Sequence, residues 1–153
     1  MSQSFQVSLS LDPIETVWGE KNTIAYHQSG ASIHLKDATD SAVKLSSIQK
    51  AARTFATMQL KEISLTGNWT MEAQWHFWQG LYSPKLDTKV NFAELAKDQQ
   101  HILDSRIKVN NWVRNTINQS PEELSPLKLA TNAAEFISQL APQSVSYNII
   151  SGD

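Results

Sequence analysis

The 153-residue chain contains no cysteine. That one absence removes thiolate nucleophiles, disulfide staples and every cysteine-based zinc site from consideration, and it is compatible with a reducing compartment. Glycine is sparse as well: five residues, at 19, 30, 67, 80 and 152, too scattered to build a phosphate-cradling loop. Neither G-x-G-x-x-G nor a Walker sequence occurs, so a dinucleotide or nucleoside-triphosphate site of standard design is excluded. No stretch approaches the ~18 apolar residues of a membrane span, and Met1–Phe5 lacks a basic region followed by an apolar run. The expected address is therefore the cytoplasm. A formal net charge of −2 gives no whole-chain attraction to nucleic acid or anionic membrane, and neither is expected as a partner. What is present is globular: 41% hydrophobic residues, 18% charged, and five tryptophans, too much apolar content for a disordered chain.

Phe5, Val7, Leu9 and Leu11 alternate with polar residues, which predicts a half-buried strand stopping before Asp12-Pro13. Ile24 and Tyr26, then Ile33 and Leu35, flank Gln28-Ser29-Gly30-Ala31 and predict a hairpin, with Gly30 free to take positive φ. Leu45, Ile48, Ala52 and Phe55 follow helical spacing, with Asp37 and Asp40 upstream where carboxylates suit a helix N-terminus. Ile63 and Leu65 predict a further strand. Met71, Trp75 and Trp78 form one stripe of a helix that Pro84 must end, and Ser83–Asn91 reads as a linker. A long helix runs to about Ile117 with Leu95, Ile102, Ile107, Val109 and Val113 on a broad apolar face. Ser120-Pro121-Glu122-Glu123 fits a capping box, and Ser125-Pro126 fits a second helix start without one. That last helix carries Leu127, Ala130, Ala134, Ile137 and Leu140, ends at Ala141-Pro142, and precedes an alternating strand at Val145, Tyr147 and Ile149. The order implies an α/β fold with a mixed sheet flanked by helices, the boundary with α+β being undecided by pattern alone.

Chemistry is harder to find. His27 and His34 flank the hairpin loop and could approach across strands, but H-x₆-H is a weak ligand pattern with no carboxylate placed beside it. Solvent-facing strand residues is the simpler reading. His76, between Trp75 and Phe77, reads as packing, and His101 with Asp104 as a surface helix pair. Asp37 with Asp40, and Glu122 with Glu123, sit where helix N-termini are expected, which accounts for them without catalysis. G-x-S-x-G is absent. Trp69, Trp75, Phe77, Trp78 and Tyr82 would suit a stacking platform, but Trp75 and Trp78 share a face that Phe77 does not, which favours packing.

Three blocks carry a resemblance to a known family: Trp18-Gly19-Glu20-Lys21, Trp75-His76-Phe77-Trp78-Gln79-Gly80, and Asn111-Trp112-Val113-Arg114-Asn115-Thr116-Ile117-Asn118 continuing through Pro121-Glu122-Glu123-Leu124 to Leu127-Lys128-Leu129-Ala130. Together they resemble the leucine aminopeptidase family, in the branch called peptidase B. The resemblance implies an N-terminal α/β domain over 1–90, a linker helix and junction over 91–124, and the start of a catalytic domain over 125–153. It also implies a homohexameric cytosolic enzyme that removes N-terminal amino acids from peptides with two divalent metal ions, manganese or zinc. The family's metal and catalytic residues lie in blocks resembling G-K-G-x-T-F-D-S-G-G and N-T-D-A-E-G-R. Neither block occurs in this sequence, so no catalytic, cofactor-binding or metal residue is assigned and the chain by itself is expected to be inactive. Asn115, Thr116, Asn118 and Pro121 match the junction, where a structural role is expected.

Burying Leu127, Ile137 and Leu140 alone is worth roughly 5–9 kcal/mol at ~1.5–3 each, so the tail is expected to dock on its own N-terminal domain or pair with a neighbouring copy. Two readings of other classes stand beside the peptidase: a free-standing α/β module that binds a small ligand or another protein, and a small enzyme built around His27 and His34.

Overall fold

Alternation in the first strand sorts the whole sheet. In the computed structural model, which describes residues 4–12, 14, 23–35, 40–83 and 87–150, β1 (Phe5–Ser10) turns Phe5, Val7 and Leu9 to one face and Gln6, Ser8 and Ser10 to the other. It lies at the centre of a five-stranded sheet of order β2-β3-β1-β4-β5. The other strands are β2 (Ile24–His27), β3 (Gly30–His34), β4 (Glu62–Thr66) and β5 (Lys89–Asn91). β2 and β3 form the expected hairpin and pair antiparallel, while β1 runs parallel to both β3 and β4, and β4 parallel to β5. Register aligns Val7 with Ala31 and Leu65, and Leu9 with Ile33, so each strand adds its apolar residues to one shared face.

That face is covered by α1 (Ser41–Thr57) and α2 (Met71–Leu81). Asp40 caps α1 by accepting from Ala42 N at 2.8 Å, and Thr70 caps α2 by accepting from Ala73 N at 3.2 Å, each satisfying a backbone donor that has no partner within its helix. Asp37 lies outside the described residues. Helix α1 stops where Gln59 takes a left-handed φ of 55°. Phe55, fully buried, joins the layers: its ring meets Phe5, Tyr26 and Phe77 at centroid distances of 5.7, 6.4 and 6.1 Å. The two helices approach closely because position 80 is glycine. A Cβ there would overlap the carbonyl oxygen of Gln49 and stand 2.7 Å from Ala52 Cβ.

Gly30 has a positive φ of 159° and opens β3, where the Gln6 backbone passes against it and leaves no room for a side chain. Three expectations are revised. The inward stripe of α2 is Ala73, Phe77, Gly80 and Leu81, not Met71, Trp75 and Trp78, which are half-buried on the other side. The end of the presumed linker is the edge strand β5, held by polar partners: Lys89 Nζ and Asn91 Nδ2 each donate to Glu62 Oε1 at 2.8 Å. Residues 145–150 form no strand, since no neighbouring strand completes a ladder with them.

The chain divides into two compact units, Met1–Asp104 and Ser105–Asp153. In the first, Gln74 is buried and uses both ends of its amide on Ala93, donating to the carbonyl and accepting from the N–H at 3.3 and 3.0 Å. Helix α3 (Lys97–Ile117) runs through the boundary, and its single buried residue is Leu103, absent from the apolar face read from the sequence. In the second unit, α3 meets α4 (Pro126–Leu140) where Trp112 stacks on Phe136, centroids 4.9 Å apart. Ser125 caps α4 by accepting from Lys128 N at 3.4 Å.

Candidate functional site

The layer of helices leaves the opposite face of the sheet polar. Ser4, Ser8, Ser32, Ser64, Asn91 and Glu62 lie on it, all half-buried, linked side chain to side chain. Ser8 and Ser32 hydroxyls stand 3.0 Å apart, and Ser4 and Ser64 hydroxyls 2.7 Å. Asn91 donates to Ser64 Oγ at 2.9 Å and to Glu62 at 2.8 Å. The Lys89 ammonium hydrogen-bonded to Glu62, then the Asn91 amide, hold the Glu62 carboxyl below its ordinary value, with the Lys89 charge adding to the effect. These groups satisfy one another. None is a nucleophile held by a base.

The hairpin histidines do not converge. His27 pairs with Gly30, and His34 lies four residues further along β3, about 13 Å at ~3.3 Å per residue. Each ring has its own local partner: His27 Nδ1 with Ser29 Oγ at 3.2 Å, and His34 Nδ1 with the Asp12 carbonyl at 2.8 Å. The Ser29–His27 contact pairs a hydroxyl with an imidazole, but it is exposed and spans two residues of a turn. It also lacks the orienting third group of a catalytic triad among the described residues. His76 is half-buried, and its Nδ1 is buried without a hydrogen-bond partner among the described residues. His101 is exposed, and the Asp104 expected beside it accepts instead from Gln100 at 2.8 Å. Among the described residues, no three His, Asp or Glu side chains gather closely enough to hold a metal ion.

The aromatic cluster separates into two environments. Trp69 is buried, donates Nε1 to the Thr66 carbonyl at 3.0 Å, and meets Phe77 edge-on at 5.4 Å. Trp75 and Trp78 stack on each other at 5.3 Å on the half-exposed side of α2. Core packing therefore accounts for Trp69 and Phe77, while Trp75 and Trp78 form a separate stacked pair.

At the junction, the capping box forms without its helix. Ser120 N donates to Glu123 Oε2 and Glu123 N to Ser120 Oγ, both at 3.3 Å, around the single turn 121–123. Ser125-Pro126 then starts α4. The reciprocal bonds run through Ser120 and Glu123, the two residues that the capping-box pattern in the sequence pairs.

No helix among the described residues is long and apolar enough to cross a membrane. The model of the family DUF3663, described as Peptidase, matches residues 6–96. The match begins inside β1, includes β2 to β5 with both covering helices, and stops just before α3. With well over half of its length inside the match, the chain belongs to this peptidase family.

Proposed function

We propose that this chain is the non-catalytic N-terminal part of a metallo-aminopeptidase of the leucine aminopeptidase family, of the peptidase B kind, acting in cytoplasmic peptide turnover. The observation that carries the reading is the peptidase-family match over residues 6–96. The resemblance of Trp75–Gly80 and Asn111–Ala130 to peptidase B supplies the finer assignment. In the parent enzyme, two divalent ions, manganese or zinc, would polarise the scissile carbonyl and lower the pKa of the attacking water. The residues of this chain do other work. The sheet-and-helix unit presents surfaces for assembly into a homohexamer, and Ser120, Glu123 and Ser125 hold the turn by which the chain leaves α3 and enters α4.

The test is an aminopeptidase assay with an amino-acid nitroanilide and added Mn²⁺ or Zn²⁺. The 153-residue chain should give no turnover. A longer chain that carries this region followed by the two metal-site blocks should turn over and lose activity on chelation. Turnover by the short chain, or an inert longer chain, would overturn the reading.

A further inference from the structure

We propose that Gln74 is a latch: its buried amide holds residues 92–103 on the sheet-and-helix unit as a strap, and releasing it frees the strap while the sheet stays folded. Among the described residues, Gln74 is the one polar side chain that is buried, and it is fully so. A leucine would fill similar space on α2 without the cost of desolvating an amide. The amide is accounted for by a backbone residue that has run past the end of the sheet. The β4–β5 ladder stops where Ser64 meets Asn91. Ala93 comes two residues later and is itself buried, so its N–H and C=O need partners that the ladder no longer supplies. Gln74 accepts from that N–H at 3.0 Å and donates to that carbonyl at 3.3 Å. One donor and one acceptor on a planar amide match the pair on a peptide backbone, so the side chain stands in for a neighbouring strand.

The strap has few other holds. Ala93 is the last residue of the chain in the hydrophobic cluster built by the sheet, α1 and α2. Beyond it Glu94 and residues 96–99 are exposed, and the next buried residue is Leu103 in α3, which lies outside that cluster. Opening the strap therefore removes two hydrogen bonds and the seats of Ala93 and Leu103, and leaves Val7, Ile33, Phe55 and Phe77 in place. A segment held at so few points opens as a local unit, at a lower free energy than global unfolding. If α3 is the link to a catalytic part, as the proposed function has it, the latch decides whether that link moves with the sheet-and-helix unit or apart from it.

Glutamyl endopeptidase, which cuts after glutamate at acid and at neutral pH, tests the latch, because Glu94 lies in the strap and Glu62 in β4. Each cut, measured against a matching unstructured peptide in the same buffer, tracks the open population at that place. Gln74→Leu should speed the cut after Glu94 about tenfold, at about pH 4.5 and about pH 8 alike, with the cut after Glu62 changed by less than about twofold. Gln74→Glu should speed it only at about pH 8, where the introduced carboxylate has no proton to give the Ala93 carbonyl. At about pH 4.5 burial keeps that carboxyl neutral, so it donates and accepts as the amide does and the slow cut returns. A role in core packing alone would not give that recovery. An unchanged cut after Glu94 in Gln74→Leu, equal acceleration of both cuts, or a Gln74→Glu chain indifferent to pH would each overturn the proposal. The assay uses no peptidase activity of this protein, so its failure is distinguishable from failure of the family reading.

Discussion

Glu62 shows how much a single side chain on the polar face depends on its neighbours. Its carboxylate accepts from Lys89 and Asn91 across the β4–β5 edge, and the Lys89 hydrogen bond is the largest reason its pKa is depressed. A depressed carboxyl contributes stability that is present above its unfolded-state pKa and is lost as pH falls through the folded one. Glu62 and Lys89 are both substantially exposed, so salt screens the pair and its effect on global stability is small. The titration is the sharper readout. Followed by the Glu62 carboxyl carbon in NMR, its midpoint should lie below the ordinary glutamate range. Lys89→Met should move it upward, because the leading hydrogen bond and the charge go together. A midpoint unmoved by Lys89→Met would show that the β4–β5 edge does not hold this contact in solution. The buried Gln74 amide is the opposite kind of residue. Both its donor and its acceptor are spent on Ala93, so it gives the connection after β5 a fixed point inside the core.

At the scale of elements, the contact between α1 and α2 rests on one missing side chain. Gly80→Ala should gain about 1 kcal/mol in helix propensity. It should lose more, on the order of 1–3 kcal/mol beyond that gain, because the added methyl meets the Gln49 carbonyl of α1, which cannot rotate away. The melting temperature should fall by several degrees per kcal/mol, and a rise would mean the helices have room to separate. The elements themselves were largely legible in the sequence. Period-2 alternation located β1 and β4, the Gly30 region located the hairpin, and Asp40 and Ser125-Pro126 marked two helix starts. Three features escaped for physical reasons. β5 is short, and its pairing relies on Lys89 and Asn91, residues that read as a linker. Helix α2 is apolar on more than one side, so spacing alone could not say whether the Trp75–Trp78 side or the Phe77 side faced inward. The alternation at Val145, Tyr147 and Ile149 describes a segment suited to a sheet, and alternation cannot supply the neighbouring strand. The candidate site was less legible still. The two hairpin histidines were placed on neighbouring strands correctly, but register, which separates them, follows from the two-residue turn and not from their spacing.

For the whole molecule, the sheet has one dry face and one hydroxyl-rich face, and β1 is the strand on which both halves depend. It pairs with β3 on one side and β4 on the other. Removing residues 1–10 should therefore abolish the cooperative thermal transition of the Met1–Asp104 unit, rather than merely trim a terminus. It takes Val7 out of the core and leaves β3 and β4 with no strand between them. A sharp transition surviving in that variant would show that the β2–β3 hairpin and the β4–β5 pair are stable without it. The same placement has a consequence for biosynthesis. The ribosome releases β1 first, but its second neighbour is complete only when Thr66 has emerged, about sixty residues later. At roughly 5–20 residues per second that is an interval of about 3–12 s. Throughout it Phe5, Val7 and Leu9 belong to a strand with one edge open and its helical cover unfinished, so the nascent chain is most vulnerable to misassociation well before its last helices exist.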